Sequence, residues 1–514
     1  MSNNLPTNWT TATISELIPH DGIFIDGDWV ESKDQDPNGD VRLIQLADIG
    51  DGRFIDKSNR FLTSRKAKEL NCTFLNKNDV LVARMPDPLG RACIFPLDKQ
   101  NSFVTVVDVC AIRLNPETVD PRFLMYLINS PDSRSSIEEY KTGSTRKRIS
   151  RGNLAKINLP IPPYNEQKRI VAKIEELFSE LDKGIENLKT AREQLKIYRQ
   201  AVLKHAFEGK LTANWREKNK DKLESANELL ERIKQERDAS YEQQLKEWKS
   251  AVKAWEENGN EGRKPSKPSE PVSVRHVDGK RGNSYPNVWA SLPLDYLAAE
   301  SVLGKMLDKN KNKGTPRPYL GNINLRWGSF DLTSLKTMRI EEDEVARYSL
   351  KNGDLVICEG GEPGRCAIWA GENSSMFIQK ALHRVRFTKS YHPYFAFYFM
   401  VYAIGAGLVE HLFTGTTIKH LTGKGLGQVV FPIPSVPEQK IISTKLDEKL
   451  SSIEKLAIEI GEQLSKLEAL RQSILKRAFS GKLVAQDAKD EPASVLLERI
   501  KAEKSGAKKR KSAA

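Results

Sequence analysis

Residues 159–211 open with LPIPPYNEQKRIVAKIEELFSELDK and close with YRQAVLKHAFEGKL; residues 431–483 open with FPIPSVPEQKIISTKLDEKLSSIEK and close with LRQSILKRAFSGKL. The offset is a constant 272 with no gaps, and 21 of the 53 aligned residues are identical. The match extends upstream, where Thr142-Gly143-Ser144-Thr145 meets Thr414-Gly415-Thr416-Thr417. Downstream it resumes at an offset of 267, with ANELLERIK from Ala226 against ASVLLERIK from Ala493. The chain is a tandem duplication of one long module, since solenoid units run only about 20–50 residues.

Within the first copy the apolar residues Ile170, Ile174, Leu177, Leu181, Ile185, Leu188, Leu195, Tyr198 and Val202 recur at helical spacing. The second copy repeats the stripe at Ile442, Leu446, Ile453, Leu456, Ile460, Leu467, Leu470 and Ile474. Such stripes mark amphipathic helices. Both follow a Pro-rich connector (Pro160, Pro162, Pro163; Pro432, Pro434, Pro437) and stop near Gly209 or Gly481, each suited to a left-handed C′ position. The spacing predicts two helices of about 38 residues, about 57 Å each. Two matching stripes can bury each other in a two-helix coiled coil. The other arrangement open to them is two separate helices, each packed on its own domain.

Upstream of each helix lies a less similar module, at 1–158 and 287–430. Asn78-Asp79-Val80-Leu81-Val82 corresponds to Gly353-Asp354-Leu355-Val356-Ile357, a turn feeding an apolar strand, and each is followed by Gly-Arg (Gly90-Arg91; Gly364-Arg365). PRFLMYLINS at 121–130 and HPYFAFYFMVY at 392–402 both read as buried helices after a strand. Short strands mixed with helices indicate compact mixed α/β (α+β) heads. Between the copies, 228–257 reads as a charged helix bearing Trp248 and Trp255, and 258–286 as a flexible linker rich in Gly, Pro and Ser. The expected organisation is head 1–158, connector and helix 159–211, charged helix and linker 212–286, head 287–430, connector and helix 431–483, and a short helix with a basic disordered tail at 484–514.

The 514 residues carry 81 Lys+Arg against 68 Asp+Glu, a net charge of 81 − 68 = +13, so an acidic partner, nucleic acid above all, is expected. The longest uncharged apolar stretch, 394–408, is too short to span a bilayer. The N-terminus lacks the basic start and apolar core of a secretory signal, so a cytoplasmic location is expected. Five widely spaced cysteines show no metal or redox motif and read as reduced core thiols.

Residues 141–156, KTGSTRKRISRGNLAK, carry Lys141, Arg146, Lys147, Arg148, Arg151 and Lys156 without an acid, interleaved with Ser144, Thr145 and glycines. Cations release counterions from phosphates while hydroxyls and backbone N–H groups fix register, so this composition suits DNA contact. The second copy has TGTTIKHLTGKG at 414–425, with Thr416, Thr417, Lys419, His420 and Lys424. A solvated surface loop is the other reading of either stretch alone; occurrence at the same place in both copies favours DNA. Arg84, Arg91 and Arg365 follow strands in Gly/Pro turns, from which they could reach guanine O6/N7 or serve in structural ion pairs.

Catalytic signals are missing. No H-E-x-x-H, phosphate-binding P-loop or Ser/His/Asp pattern occurs, and His20, His205, His276, His383, His392 and His411 read as packing or surface residues. Ile161-Pro162-Pro163-Tyr164 looks like an adenine methyltransferase motif but lacks its leading Asn or Asp, and Ile433-Pro434-Ser435-Val436 does not keep it. A subunit that binds and does not catalyse is expected.

The whole pattern resembles the DNA specificity (S) subunits of type I restriction–modification systems. It comprises two heads, each ending in a Gly-[Ser/Thr]-Thr loop and Pro-x-Pro segment, then E-Q-x-x-I (Glu166, Gln167, Ile170; Glu438, Gln439, Ile442). A long helix leads to R-Q-x-[V/I]-L-K-x-A-F-x-G-K-L at 199–211 and 471–483. The resemblance implies two target-recognition domains joined by two long helices in a pseudo-twofold antiparallel coiled coil, reading a bipartite, asymmetric double-stranded DNA site. It implies that the helices act as a ruler and dock two methyltransferase subunits. S-adenosylmethionine, ATP and Mg are then expected on partner methyltransferase and restriction/translocase subunits, with no cofactor on this chain. Two other readings stay open: a structural coiled-coil adaptor without sequence preference, and a self-sufficient methyltransferase–nuclease.

Overall fold

A computed structural model of the chain describes residues 5–86, 88–143, 147–261, 264–268, 270, 285–308, 310, 312–372 and 375–512, of which 222 and 506–512 are described by backbone only. It divides into two compact units, residues 1–190 with 460–514, and residues 191–459. Neither boundary coincides with the sequence repeat. Each unit combines one head, the start of the long helix that follows that head, and the end of the other long helix.

In the first unit a four-stranded antiparallel sheet runs Ile23–Asp26, Val109–Arg113, Val80–Ala83, Ala92–Ile94. The strand Val80–Ala83 is buried throughout: Val80 and Val82 enter one core cluster, Leu81 and Ala83 another, as the period of two requires. A second sheet runs Arg60–Leu62, Val41–Ile44, Phe103–Thr105, the last two parallel. Thr10–Thr13 pairs with Asn158–Ile161, bringing the start of the chain beside the Pro-rich connector. The helix Pro121–Ile128 starts with proline at its first position and an Asp120 carboxylate accepting from Arg122 N at 2.8 Å.

The long helix Tyr164–Phe207 begins directly after Pro163. Within this unit Ile170, Ile174, Phe178 and Leu181 are buried in the head's own core. From the other long helix, Val436–Phe479, come Ile474, Leu475, Ala478 and Phe479, and from the C-terminal helix, Ala493–Ser512, come Leu496, Leu497 and Ile500. The two long helices run antiparallel here. Arg471 pairs with Asp182 and lies 4.3 Å from the Phe178 ring centre, and a Cβ on Gly184 would sit 3.6 Å from Leu467.

The second unit repeats this plan strand for strand. Its four-stranded sheet runs Ala298–Leu303, Leu382–Phe387, Leu355–Cys358, Cys366–Ile368, and its three-stranded sheet Lys336–Ile340, Thr315–Leu320, Phe377–Ile378. Ala290–Pro293 pairs with Val430–Ile433, and a small hairpin, Leu325–Arg326 with Ser329–Phe330, is added. The core takes Ile442, Leu446 and Ile453 from the start of the second long helix, Val202, Leu203, Ala206 and Phe207 from the end of the first, and Leu229 and Ile233 from the helix Ala226–Glu257.

The repeated motifs now have physical roles. Trp9 Nε1 donates to Glu166 at 3.1 Å and Trp289 Nε1 to Glu438 at 2.9 Å, tying each head's first residues to its long helix. Gln167 accepts from Asp120 N at 3.1 Å and Gln439 from His392 N at 2.7 Å, holding the entry of each buried helix. Burial pushes the Glu166 carboxyl above its usual range, against the pull of Trp9 and Gln486. Asp79 and Arg113 form a two-pronged pair at 2.8 and 2.7 Å, and Asp354 and Arg386 repeat it at 2.8 Å on both prongs. Gly481 (φ 71°) ends the second long helix with Gly481 N to Ala478 O at 3.2 Å and Lys482 N to Arg477 O at 2.9 Å, a Schellman cap.

Several expectations are corrected. Both long helices have 44 residues, because the Pro-rich connectors end earlier than expected and Val436-Pro437 fits the first turn, where a proline N–H is not needed. The apolar stripes are not a helix-only seam, since Ile170, Ile174, Ile442, Leu446, Ile453 and Ile474 pack into head cores. Leu177, Ile185, Leu188, Leu195, Ile460 and Leu467 are partly covered, Leu181 and Val202 are buried, and Leu456 and Leu470 face solvent. The tail expected to be disordered from Lys504 continues the C-terminal helix to Ser512, consistent with a composition of Ala, Lys and Arg and with cations near a helix C-terminus. Of the 258–286 linker, 262, 263, 269 and 271–284 lie outside the described residues. All five cysteines are buried and unpaired.

The rings at the helix ends anchor both units: Phe479 lies 5.4 Å from Phe123, and Phe207 lies 5.4 Å from Phe395. Phe479→Ala is expected to cost about 3–5 kcal/mol, and hydrogen exchange is expected to localise the loss to the first unit. Phe207→Ala is expected to act in the same way on the second. Unchanged protection in either case would show that the ring is not part of that core.

Candidate nucleic-acid interface

The basic stretch of the first head folds as a loop pinched at its base. Thr142 N donates to Arg148 O at 2.8 Å, and Arg148 N returns the bond to Thr142 O at 2.9 Å. The second head repeats this 272 residues later, with Thr414 N to His420 O at 2.9 Å and His420 N to Thr414 O at 2.8 Å. Each loop leads into a short capped helix. Ser150 caps Arg151–Leu154, and Thr422 caps Gly423–Gly427. Pinching fixes the two ends of each loop, which removes part of the ordering cost of a contact made between them.

Lys147 and Arg148 are exposed on the first loop, while Ser144, Thr145 and Arg146 lie outside the described residues. Lys141 is exposed and paired with Glu138 at 2.6 Å; Arg151 is exposed and donates to Phe24 O at 3.0 Å. Lys156 is exposed beyond the short helix. On the second loop Thr416, Thr417 and Lys419 are exposed with Ile418 between them, and Lys424 is exposed on the short helix. His420 is partly covered, its ring against the backbone of Gly360, where a Cβ would come within 2.7 Å of Nδ1.

The three arginines after strands are committed inside their heads. Arg84 donates to Ile149 O at 3.0 Å and Val107 O at 2.9 Å and pairs with Asp26 at 2.7 Å. Arg91 is buried, donating to Ile49 O at 2.6 Å and Leu46 O at 2.9 Å. Arg365 donates to Asn322 O at 2.9 Å and pairs with Glu362 at 2.7 Å. Gly90 and Gly364 adopt φ of 75° and 89°, and the residue after each glycine runs back into the head. This corrects the reading of Arg84, Arg91 and Arg365 as groups that reach outward to bases.

Sequence reasoning missed how the loop bases are anchored. Arg84 binds the carbonyl of Ile149, just past the first loop; in the second head His383 Nε2 meets the equivalent carbonyl of Leu421 at 3.0 Å. No sequence signal pairs them, because Arg84 follows one strand and His383 lies within the next. The short motifs Pro6-Thr7-Asn8-Trp9 and Pro286-Asn287-Val288-Trp289 were also missed, although the repeated Pro-x-x-Trp was readable. Each forms a turn, Trp9 N to Pro6 O and Trp289 N to Pro286 O, both at 2.9 Å.

Burial pushes the His383 ring below its ordinary range, with Glu359 and the Leu421 carbonyl pulling the other way. A depressed histidine contributes stability that is fully present above the unfolded value of about 6.5 and is lost as pH falls through the folded value. Melting His383→Gln beside the parent from about pH 8 to about pH 5 is expected to show a shallower loss on acidification. Parallel curves would refute the assignment.

Comparison with known proteins agrees with this geometry. The family model described as "Type I restriction modification DNA specificity domain" matches residues 6–190 and 299–466. The chain is 24% identical over 486 residues to the type I restriction enzyme EcoKI specificity subunit of Escherichia coli K12, covering 91% of this chain and 90% of that one. It is 24% identical over 542 residues to the StySPI specificity subunit of Salmonella potsdam, covering 98% of both. Its fold matches a chain from a structure on complex assembly and conformational transition of the type I R-M system, with TM-score 0.64, 18% identity, and 94% and 100% of the two chains covered. The HsdS subunit from Thermoanaerobacter tengcongensis matches with TM-score 0.53 and 17% identity over 93% and 98%.

Proposed function

The chain belongs to the family of type I restriction–modification DNA specificity subunits, and from that premise we propose that each head reads one half of a bipartite site through its pinched loop. A sequence-specific DNA-recognition subunit is what the family membership establishes. The observation that carries the finer reading is the recurrence of the same backbone pinch, Thr142 with Arg148 and Thr414 with His420, beside exposed cations in two heads whose sequences have otherwise diverged. Lys147, Arg148 and Lys419 would meet phosphates there, and the hydroxyls of Thr416 and Thr417 would fix register. Unlike heads make the two half-sites unlike, so the target is asymmetric.

Catalysis is assigned to partners: adenine methylation with S-adenosylmethionine to two methyltransferase subunits, and ATP- and Mg-dependent translocation and cleavage to restriction subunits. The equivalently placed Tyr198 and Leu470, half-exposed on the two long helices, support docking of two copies of one partner. A cytoplasmic location follows from the same reading; among the described residues no helix is long and apolar enough to cross a membrane.

Replacing Arg146, Lys147 and Arg148 by Ala is expected to weaken binding to all DNA sequences and to reduce the salt slope by about 0.9 for each phosphate no longer neutralised. An unchanged slope would remove the loop from the interface. The long helices are read as setting the spacer between half-sites. Inserting four residues in each adds about 6 Å and returns the helix face to within about 40°. Mapping methylated adenines with such a variant is expected to show a longer spacer between unchanged half-sites, and an unaltered spacer would end the ruler reading.

A further inference from the structure

The helix Ala226–Glu257 has two regions of different character. The core of the second head takes Ala226, Leu229, Leu230 and Ile233, and Glu236 accepts from Ser390 N at 3.1 Å. Beyond this point the apolar residues Tyr241, Leu245, Trp248, Val252 and Trp255 recur at steps of four, three, four and three, a single stripe along one face. Among the described residues, that core takes in none of them. All five are nevertheless partly covered, while the residues around them, apart from Ser240 and Gln244, are exposed.

The cover of Trp248 and Trp255 is traceable to the segment after the helix. Gly259 (φ 73°) and Asn260 (φ 63°) reverse the chain, with Gly259 N to Glu256 O at 3.2 Å and Asn260 N to Trp255 O at 3.0 Å. Residues 264–268, Lys-Pro-Ser-Lys-Pro, then meet the stripe. Trp248 Nε1 donates to Pro265 O at 3.0 Å, and the Lys264 ammonium lies 5.5 Å from the Trp255 ring centre. Pro265 and Pro268 are partly covered while Lys264, Ser266 and Lys267 are exposed. Three residues per turn is the polyproline II period, which puts prolines at this spacing on one face. The sequence keeps the period at Pro271, outside the described residues.

From Trp248 to Glu257 the helix rises about 14 Å, and the Trp248–Pro265 hydrogen bond shows that the chain, reversed at 258–260, has returned to the level of Trp248 by Pro265. Aromatic rings with an N–H aimed at a proline carbonyl are the means by which proline-rich segments are bound.

We propose that the outer half of the helix Ala226–Glu257 is a polyproline-binding face whose occupant is this chain's own segment beginning at Lys264. The pair forms a closed arm in which helix and strap shield an aromatic stripe that neither would cover alone. A stretch that reads as a free linker therefore begins with a bound segment. The proposal is independent of how the heads recognise DNA.

Hydrogen exchange on the full-length chain tests it. Pro265→Ser with Pro268→Ser is expected to raise exchange across 241–257 about tenfold and to leave 226–236 and both heads unchanged. Lys267→Ala, on the outward side, is expected to leave the helix protected. Adding the synthetic peptide KPSKPSEP to the double variant is expected to restore protection. Unchanged protection in the double variant would overturn the proposal. Protection restored by raising the protein concentration and not by the peptide would also overturn it, since a second copy would then be the occupant.

Discussion

Closure of each head's core by a ring from the other copy's helix is the constraint on which the rest of the structure depends. Phe207 and Phe479 occupy equivalent places in their repeats, yet each packs on the head it does not follow directly, Phe207 on Phe395 and Phe479 on Phe123. Gly481 then turns the chain past Pro6, and Gly209 turns it past Pro286, so close that a Cβ on either glycine would fall 2.3 Å from the proline ring. The helices that follow, Ala226–Glu257 and Ala493–Ser512, complete the cores with residues from their first turns. Neither head is finished by its own continuous sequence. A duplication in which each copy supplies the last part of the other's core ties the fate of two recognition modules together, because loss of one helix end opens a core elsewhere in the chain.

The invariant parts of the repeat serve this closure. Glu166 and Glu438 receive a tryptophan N–H from the head's first strand region together with a donor from the segment past the other helix, Gln486 in the first unit and Arg216 in the second. A buried carboxylate is costly unless its oxygens are satisfied. Each glutamate is satisfied only when helix start, head start and returning segment are all in place. That three-way requirement accounts for the glutamate in both copies, while the position before it changes from Asn165 to Pro437.

The sequence pattern made the duplication, the two long helices and their glycine stops legible, because periodicity and left-handed caps are local properties. It left open what the stripes touch. An apolar stripe states which face is buried and not against what, so Ile170 and Ile442 went to head cores while Leu456 and Leu470, at equally apolar positions, stayed in solvent. The Gly-Arg turns misled for a related reason. The chain after a positive-φ glycine can run outward or back, and only the carbonyls of Ile49, Leu46 and Asn322, distant in sequence, decide that the guanidinium points inward. Composition marked the loop at 141–156, but its pinch is a main-chain pairing of Thr142 with Arg148 that no side chain announces.

The anchoring of the two loops shows how divergence was accommodated. Arg84 holds the Ile149 carbonyl in the first head; in the second, Glu359 occupies that place beyond the strand and His383, from the adjacent strand, holds the Leu421 carbonyl. The donor changed both its chemistry and its strand, while the accepting carbonyl and the pinched base stayed at one offset. The backbone bond is kept while the side chain behind it changes, so the base of the loop holds its place in two heads whose surroundings differ. A recognition head can then change much of its surface and still present its loop in the same place.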